Sequence, residues 1–394
     1  MTSSTEAPRS RSQGEEPFAH AGRAAAERRQ QSCLPSGRVV VSCSARRGNG
    51  GLGRHLNEIL AALERAGTEP ACICGSTRAS AGDPVSQAPR HRLGVPYLAK
   101  ALSTLKAPAP PAVRARAFMV EFDAYAAGQL PAGEHLIAFN AQALTQLTSA
   151  RRAGYRSMGL VSANSHVRQL ARQHERARRD YPLEGSWTSL LIERMGREYR
   201  QAERIYVASR YIRDSFLEQG FPDELLADFP LTPDPRFVPA GAGAREERRS
   251  SERFDVVYVG SLAVHKGVPL LIDAFRRLAH ADMRLVLVGG WGSRGMRRFV
   301  QGACAADPRI VVSPGDPLPH LRAAGVCVHP AYEDGFAYAP AEALACGVPA
   351  IVSEDTGMKE LIDAPRTGLI VPTGARDALA EAIDAAYRGE VFGG

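Results

Sequence analysis

From Gly37 onward the chain alternates short apolar runs with amphipathic stretches, breaks once into a proline-rich segment, and then starts the same alternation again. An apolar run of four to six residues fits a strand buried on both faces. An intervening stretch with apolar residues three and four apart fits a helix covering a sheet. A helix carries the chain back across the sheet, so strands linked this way pair in parallel. The expected strands are 38–43, 69–74, 135–139, 157–162 and 205–208 in the first half. In the second half they are 255–260, 284–288, 309–312, 326–329, 350–352 and 368–371. The expected helices are 52–66, with Leu52, Leu56, Ile59, Leu60 and Leu63 on one face, then 113–129, 268–278, 339–346 and 375–387. A long arginine-rich helical region runs from about 163 to 203, and 75–96 reads as a loop.

At 394 residues the chain exceeds what one core usually serves. The break falls where Pro230, Pro233, Pro235 and Pro239 precede a small, charged stretch at 240–253, which has a linker's composition. The reading is therefore α/β, with two doubly wound domains, 37–239 and 254–394, facing a cleft. Such sheets take ligands at the carboxyl ends of their strands. Residues 1–36 are rich in Ser, Arg, Glu and Ala, hold too little apolar surface to fold alone, and lack the apolar run of a signal peptide. They read as a disordered leader, and the protein is placed in the cytoplasm. No apolar stretch approaches the length of a membrane span.

The seven cysteines form no CxxC pair, and their odd number argues against a full disulfide framework. Cys43, Cys327 and Cys346 fall in or beside apolar stretches and read as small core fillers. The histidines show no metal-binding spacing, so no protein-held metal is expected. The net charge of +7 is almost entirely arginine, since lysine occurs only at 100, 106, 266 and 359. Between 151 and 180, arginines at 151, 152, 156, 168, 172, 176, 178 and 179 face only Glu175 and Asp180. A solvated helix face is the plain reading of such a run. A surface drawing in an anionic lipid-linked or polyanionic acceptor, or touching a membrane peripherally, is the functional one. Nucleic acid is disfavoured, because aromatic interleaving is missing and no recognition motif appears.

Three motifs carry chemistry. Asn49-Gly50-Gly51-Leu52-Gly53 follows the first strand and opens a helix. Glycines there let the backbone approach a phosphate, and the helix start supplies unpaired N–H groups, although many such turns serve geometry alone. Gly260-Ser261-Leu262 ends the first strand of the second domain, and the loop after it carries Lys266-Gly267. A lysine is a compact charge suited to a diphosphate. Placing it at a helix start, against the dipole, in a lysine-poor chain, favours that reading over a surface residue. The third motif runs from His329 to Leu344. Pro340 suits the first helical position, which puts Glu342 in the first turn, with Asp334, Gly335 and Phe336 in the preceding loop. A first-turn carboxylate can be a dipole partner only, but two carboxylates flanking a Gly-Phe loop could also grip the hydroxyls at both ends of a nucleotide sugar.

Across residues 38 to 385 the chain resembles the retaining glycosyltransferases of family 4, which have the GT-B fold of two Rossmann-like domains. The match rests on the Gly-Gly-x-Gly-Arg-His turn at 50–55, Lys266-Gly267, Asp334 to Glu342, Ala345-Cys346-Gly347-Val348-Pro349 and Gly368-Leu369-Ile370-Val371-Pro372. Each block is weak alone; together they are specific. The resemblance implies a UDP- or GDP-linked sugar donor bound by the second domain, and an acceptor on the side of the first. It implies transfer to a glycan, lipid-linked or small-molecule acceptor with retention at the anomeric carbon and without an obligatory metal. By the same resemblance Lys266 binds the diphosphate, Glu342 the ribose, and Asp334 lies toward the donor sugar. Gly50, Gly51 and Gly53 form a phosphate-facing loop, Gly260, Ser261, Gly335 and Phe336 line the donor site, and His166 reaches the transferred sugar.

The chain departs from that pattern in three places. Asp334 stands where members commonly have Glu, with a shorter arm. Ser261 stands where they commonly have Arg, which removes one phosphate cation unless Arg294 or another arginine replaces it. The chain ends at Gly394, where similar proteins continue into a helix that crosses back to the first domain; this leaves either weaker domain closure or a fragment of a longer chain. The reading from another class is a non-catalytic nucleotide-sugar-binding protein with the same fold.

Overall fold

The β-branched and leucine-rich runs form two six-stranded sheets in which every paired strand is parallel. The computed structural model describes residues 17–75, 111–241 and 253–392, and the statements below concern those residues. In chain order the first half comprises α1 (Pro17–Cys33), β1 (Val39–Cys43), α2 (Gly50–Arg65), β2 (Ala71–Cys74), α3 (Pro111–Gly128), β3 (His135–Phe139) and α4 (Leu144–Arg152). It continues with β4 (Ser157–Ser162), α5 (Val167–Asp180), α6 (Ile192–Gln201), β5 (Arg204–Val207), α7 (Arg210–Leu217) and β6 (Leu226–Asp228). The second half comprises β7 (Phe254–Val259), α8 (Val268–Phe275), β8 (Met283–Val288), α9 (Arg294–Ala306), β9 (Ile310–Val312) and α10 (Leu318–Ala323). It ends with β10 (Val326–His329), α11 (Tyr338–Ala345), β11 (Ala350–Ser353), β12 (Gly368–Val371) and α12 (Arg376–Arg388).

The strand order is β2-β1-β3-β4-β5-β6 in the first sheet and β12-β11-β10-β7-β8-β9 in the second. Each order reverses once, between β1 and β3 and between β7 and β10, and each reversal opens a crevice at the carboxyl ends of the strands. The central strands are buried on both faces, as in Val39–Cys43 and Val326–His329, and each such aliphatic side chain contributes about 1.5–3 kcal/mol of burial. Cys43, Cys327 and Cys346 are buried within these cores, and none of the seven cysteines is in a disulfide. No helix is long and apolar enough to cross a membrane among the described residues.

The structure differs from the sequence reading at several points. The leader expected to be without structure carries α1 from residue 17; residues 1–16 lie outside the described residues. Its Ala, Arg, Glu and Gln are good helix formers. It docks by polar contacts that composition does not reveal: the Gln30 amide donates to Glu58 (3.2 Å) and to the Pro230 carbonyl (2.7 Å), while Arg65 donates to Gln30 (2.9 Å). The arginine-rich region is two helices, because Tyr181 before Pro182 is extended and ends α5. Leu52 is exposed; Gly53 and His55 take the buried face of α2 instead. The expected loop at 76–96 and nearly all of the linker at 240–253 lie outside the described residues.

The α5 helix belongs to the first domain by sequence but bridges to the second. Ala177 is fully buried in the core of the second domain. Gln173 donates to Asp355 (2.8 Å), Arg176 to the Thr373 carbonyl (2.6 Å), and the hydroxyls of Tyr181 and Tyr332 bond Asp273 (2.9 Å) and Asp180 (2.7 Å) across the boundary.

Candidate active site

At the second switch point the chain leaves β7 through Gly260, whose φ of +150° favours glycine. The Tyr258 hydroxyl donates to the Ser261 carbonyl at 2.8 Å, which pins the loop by its backbone and leaves Ser261 exposed. The loop returns to α8 through Gly267, in the left-handed region at φ +72°, where a Cβ would meet the Pro330 carbonyl at 1.9 Å. This close contact between the β7 and β10 loops presents Lys266. Its Nζ lies 2.7 Å from Asp334 Oδ2, and His329 Nε2 lies 3.1 Å from the same oxygen. Burial opposes the Asp334 carboxylate, but the Lys266 ammonium and the His329 ring outweigh it and hold its pKa well below the ordinary range. The backbone fixes Asp334 as well: its carbonyl accepts from Gly357 N at 2.9 Å.

The helix α11 begins at Tyr338, two residues before Pro340, so Glu342 lies in its second turn rather than the expected first, four residues after Tyr338 and on the same face. Its side chain is 2% exposed, and it forms an ion pair with Arg54 of the first domain. Burial raises the Glu342 pKa, and Arg54 opposes that rise. The Arg54 guanidinium also stacks 3.9 Å above the Tyr338 ring, and the Tyr338 hydroxyl donates to Glu58 at 2.8 Å. The start of α2 and the start of α11 are thus in contact. Glu333, beside Asp334, turns the other way: fully buried, it accepts from Ser165 N (2.9 Å) and Asn164 Nδ2 (3.0 Å) of the first domain. Gly335 packs against the same segment, where a Cβ would be 2.2 Å from the Ala163 carbonyl, and Phe336 stands edge-on to Tyr338.

The three glycines of the first switch point differ. Gly50 has φ +64° and, like Gly51, opens onto free space, so the backbone there is approachable. Gly53 is buried, and a Cβ on it would strike the Arg46 carbonyl at 1.9 Å; it serves the turn itself. The structure brings Lys266 and Asp334, both singled out by their motifs, into direct contact, and it brings the glycine turn to the Glu342 helix through Arg54.

His166 sits elsewhere. Its ring packs among Tyr199, Phe216 and Phe221 at centroid distances of 5.0, 5.2 and 5.5 Å, and its Nδ1 accepts from Arg168 N to cap α5. Burial pushes its pKa down to about 4. The position expected to reach a sugar is therefore occupied by a neutral, aromatic-packed cap. Arg294 is exposed at the start of α9. Two residues that motif reasoning passed over lie against Lys266. His265 stacks on His174 of α5 at 4.4 Å, and burial lowers both pKa values, that of His174 to about 3. Nothing in a lone histidine's sequence context signals such a stack; the neighbouring lysine motif was the sole cue.

Residues 253–388 match the family model for glycosyl transferases group 1. Among curated relatives, the D-inositol 3-phosphate glycosyltransferase of Mycobacteroides abscessus is 30% identical over 154 residues, covering 36% of this chain and 34% of that one. The capsular polysaccharide biosynthesis glycosyltransferase CapM of Staphylococcus aureus is 27% identical over 139 residues, covering 34% and 37%. The chain thus spans about a third of the length of the curated relatives it matches. Solved structures align over nearly all of it. Sucrose-phosphate synthase of Thermosynechococcus elongatus gives a TM-score of 0.63 at 18% identity, covering 90% of each chain. Anabaena HepE in complex with UDP-glucose gives 0.58 at 15% identity, covering 90% of this chain and 91% of that one. By shape the chain has the GT-B fold, and by sequence its second domain resembles the group 1 glycosyl transferases over 253–388.

Proposed function

We propose that this protein is a glycosyltransferase that moves a hexosyl or related sugar from a UDP- or GDP-linked donor to a glycan, lipid-linked or small-molecule acceptor, with retention at the anomeric carbon. The observation that carries this reading is the contact of Lys266 with Asp334 at the second switch point, beside α11, which bears the buried carboxylate of Glu342 in its second turn. The relatives' names and the UDP-glucose complex of HepE agree with it.

In this reading the diphosphate lies between Lys266 and the glycine turn at 50–51. As the glycosidic bond breaks, negative charge grows on the departing diphosphate, and the Lys266 ammonium and the first N–H groups of α11 stabilise it. Asp334, kept ionised by Lys266 and His329, accepts from sugar hydroxyls, and Glu342 from those of the ribose. The acceptor attacks from the face the diphosphate leaves, and the departing phosphate takes the acceptor's proton, so no protein nucleophile is needed. The exposed arginines 168, 172 and 179 of α5 suit an anionic acceptor or a membrane surface. The reaction is placed in the cytoplasm and uses no protein-held metal.

The test is a thermal-shift screen against UDP, GDP, ADP and their sugars, with and without EDTA, followed by proton NMR of the anomeric product. A shift with one nucleotide that survives EDTA, and a product of unchanged anomeric configuration, are expected. No shift with any of them would sink the reading, and an inverted product would remove its stereochemical part.

A further inference from the structure

We propose that Arg54 is a two-position residue: it yields Glu342 to the donor's ribose and turns its guanidinium to the donor's diphosphate. This rests on the reading above, in which Glu342 receives the ribose and Lys266 the diphosphate.

Four side chains on two helices form a lattice. Arg54 and Glu58 are four residues apart on α2, and Tyr338 and Glu342 are four apart on α11, so each pair lies along one helix face. The two faces meet. Arg54 stacks on Tyr338 and pairs with Glu342, while Tyr338 donates to Glu58. The halves of this lattice are not equally held. Glu58 also accepts from Thr232 N (2.9 Å), Thr232 Oγ1 (3.1 Å) and Gln30 Nε2 (3.2 Å), which tie it to the strap between the domains and to α1. Glu342 has Arg54 as its hydrogen-bond partner among the described residues, and the Arg54 side chain is 29% exposed. The Tyr338–Glu58 half is the anchor, and the Arg54–Glu342 half is the one free to exchange.

Charge decides what the exchange requires. The Glu342 side chain is 2% exposed and its Oε1 is taken by Arg54, so a hydroxyl reaching that carboxylate displaces the guanidinium. Ribose hydroxyls replace its hydrogen bonds but bring no negative charge. A guanidinium left unpaired in a protein cleft is costly. The donor's diphosphate supplies the missing anion, and a planar guanidinium matches phosphate oxygens with two parallel N–H donors. Lys266 is already paired with Asp334, so a second cation on the diphosphate is chemically useful. Arg54 stands in the first turns of α2, directly after the turn at 50–53, on the side from which it can turn. The exchange makes the diphosphate, rather than the nucleoside alone, the group that uncovers Glu342.

The test compares Arg54→Gln with the unaltered chain in NMR titrations with uridine and UDP, and with guanosine and GDP. Removing the charge is expected to lower the ratio of diphosphate to nucleoside affinity by about tenfold or more, the size of one charged hydrogen bond, while nucleoside affinity stays level or rises. An unchanged ratio makes Arg54 a plain plug or brace and overturns the proposal, as does a fall in nucleoside affinity. Should Arg54→Gln fail to fold, Arg54→Lys keeps the charge on a narrower head. It is expected to lower the same ratio by a smaller factor, and an unaltered ratio again overturns the proposal. If the unaltered chain binds neither UDP nor GDP, the donor reading has failed instead, a result separate from any change in the ratio.

Discussion

At the first sheet's switch point the buried charges face inward; at the second sheet's they face the cleft. Behind β3, Glu198 accepts from the N–H groups of Ala141 (2.6 Å), Ala143 (2.9 Å) and Leu144 (3.1 Å), and Asp123 from those of Thr145 (2.7 Å) and Gln146 (2.9 Å). Arg194 bridges the two carboxylates. This cradle holds Ala141 at φ +71°, a strained position for a residue with a Cβ. After β10, by contrast, Asp334 is paired with the partly exposed Lys266, and its loop is fixed by backbone contacts. The same architecture uses Glu198 and Asp123 as scaffolding in one half and, in the proposed reading, presents Asp334 to a ligand in the other. What distinguishes them is whether a carboxylate's partners are backbone donors, which shape a loop, or a cation that a ligand can also engage.

Breaking each side should therefore have different consequences. The largest effect is expected from Glu198→Ala, which leaves three N–H groups without their acceptor, takes one of its two carboxylates from Arg194, and should cost about 3–5 kcal/mol in denaturant unfolding. A loss below about 1 kcal/mol would show that the cradle is not scaffolding. Next, Lys266→Ala should lower the rate of nucleoside diphosphate release from the donor about 10²-fold, and lower the unfolding midpoint as well, because it strips the buried Asp334 of its cation. An unaltered rate would move Lys266 out of the site. Gly53→Ala, which drives a Cβ into the Arg46 carbonyl, should cost about 1–3 kcal/mol. Gly51→Ala meets open space and should leave stability alone while weakening UDP or GDP binding; equal stability losses would erase the distinction between the two glycines.

The pH dependence sharpens the same contrast. Burial raises the Glu198 pKa from 4.5 to about 7. The folded state thus holds that proton more tightly than the unfolded chain. Its contribution is present in full below pH 4.5 and is lost as pH rises toward 7. The Asp334 pKa is depressed, so its contribution is present above 3.8 and is lost as pH falls below it. Unfolding measured across pH should show Glu198→Gln flattening the loss on the alkaline side and Asp334→Asn flattening the loss on the acid side. Exchange of those two signatures would contradict the assignment. The smallest effect is expected at Ser261. Its carbonyl, not its hydroxyl, takes the Tyr258 bond, so Ser261→Ala should change stability by less than about 0.5 kcal/mol, and a larger drop would give the hydroxyl a role.

The alternation of buried strands with amphipathic helices was readable along the chain because burial on two faces writes a continuous apolar run. The strands at 135–139, 157–162, 326–329 and 368–371 match to the residue. The short edge strand β6 escaped, since Leu-Ala-Asp lacks the β-branched run that marks the equally short β9. So did α1, whose docking depends on Gln30 and Arg23 finding the segment at 230–233 about two hundred residues away. In the candidate site, Lys266 and Asp334 could be picked out because each stands in a loop of unusual composition after a strand. Arg54, Tyr338 and Glu58 could not be assigned their contacts, because these form only when α2 and α11 face each other. His166 shows the converse: its place just after β4 suggested a role in the cleft, and only the structure showed the aromatic rings packed around it.

By itself the sequence determined that this protein has two parallel sheets, where each begins, and which loops carry glycine, lysine and carboxylate at the ends of their strands. Those properties follow from local periodicity and backbone chemistry. Only the tertiary structure decided that α5 crosses into the second domain's core, that Glu333 braces the boundary while its neighbour Asp334 meets Lys266, and that Arg54 covers Glu342. Those choices depend on which helix faces meet across the cleft, and contacts between residues hundreds of positions apart leave no mark on the spacing of either partner.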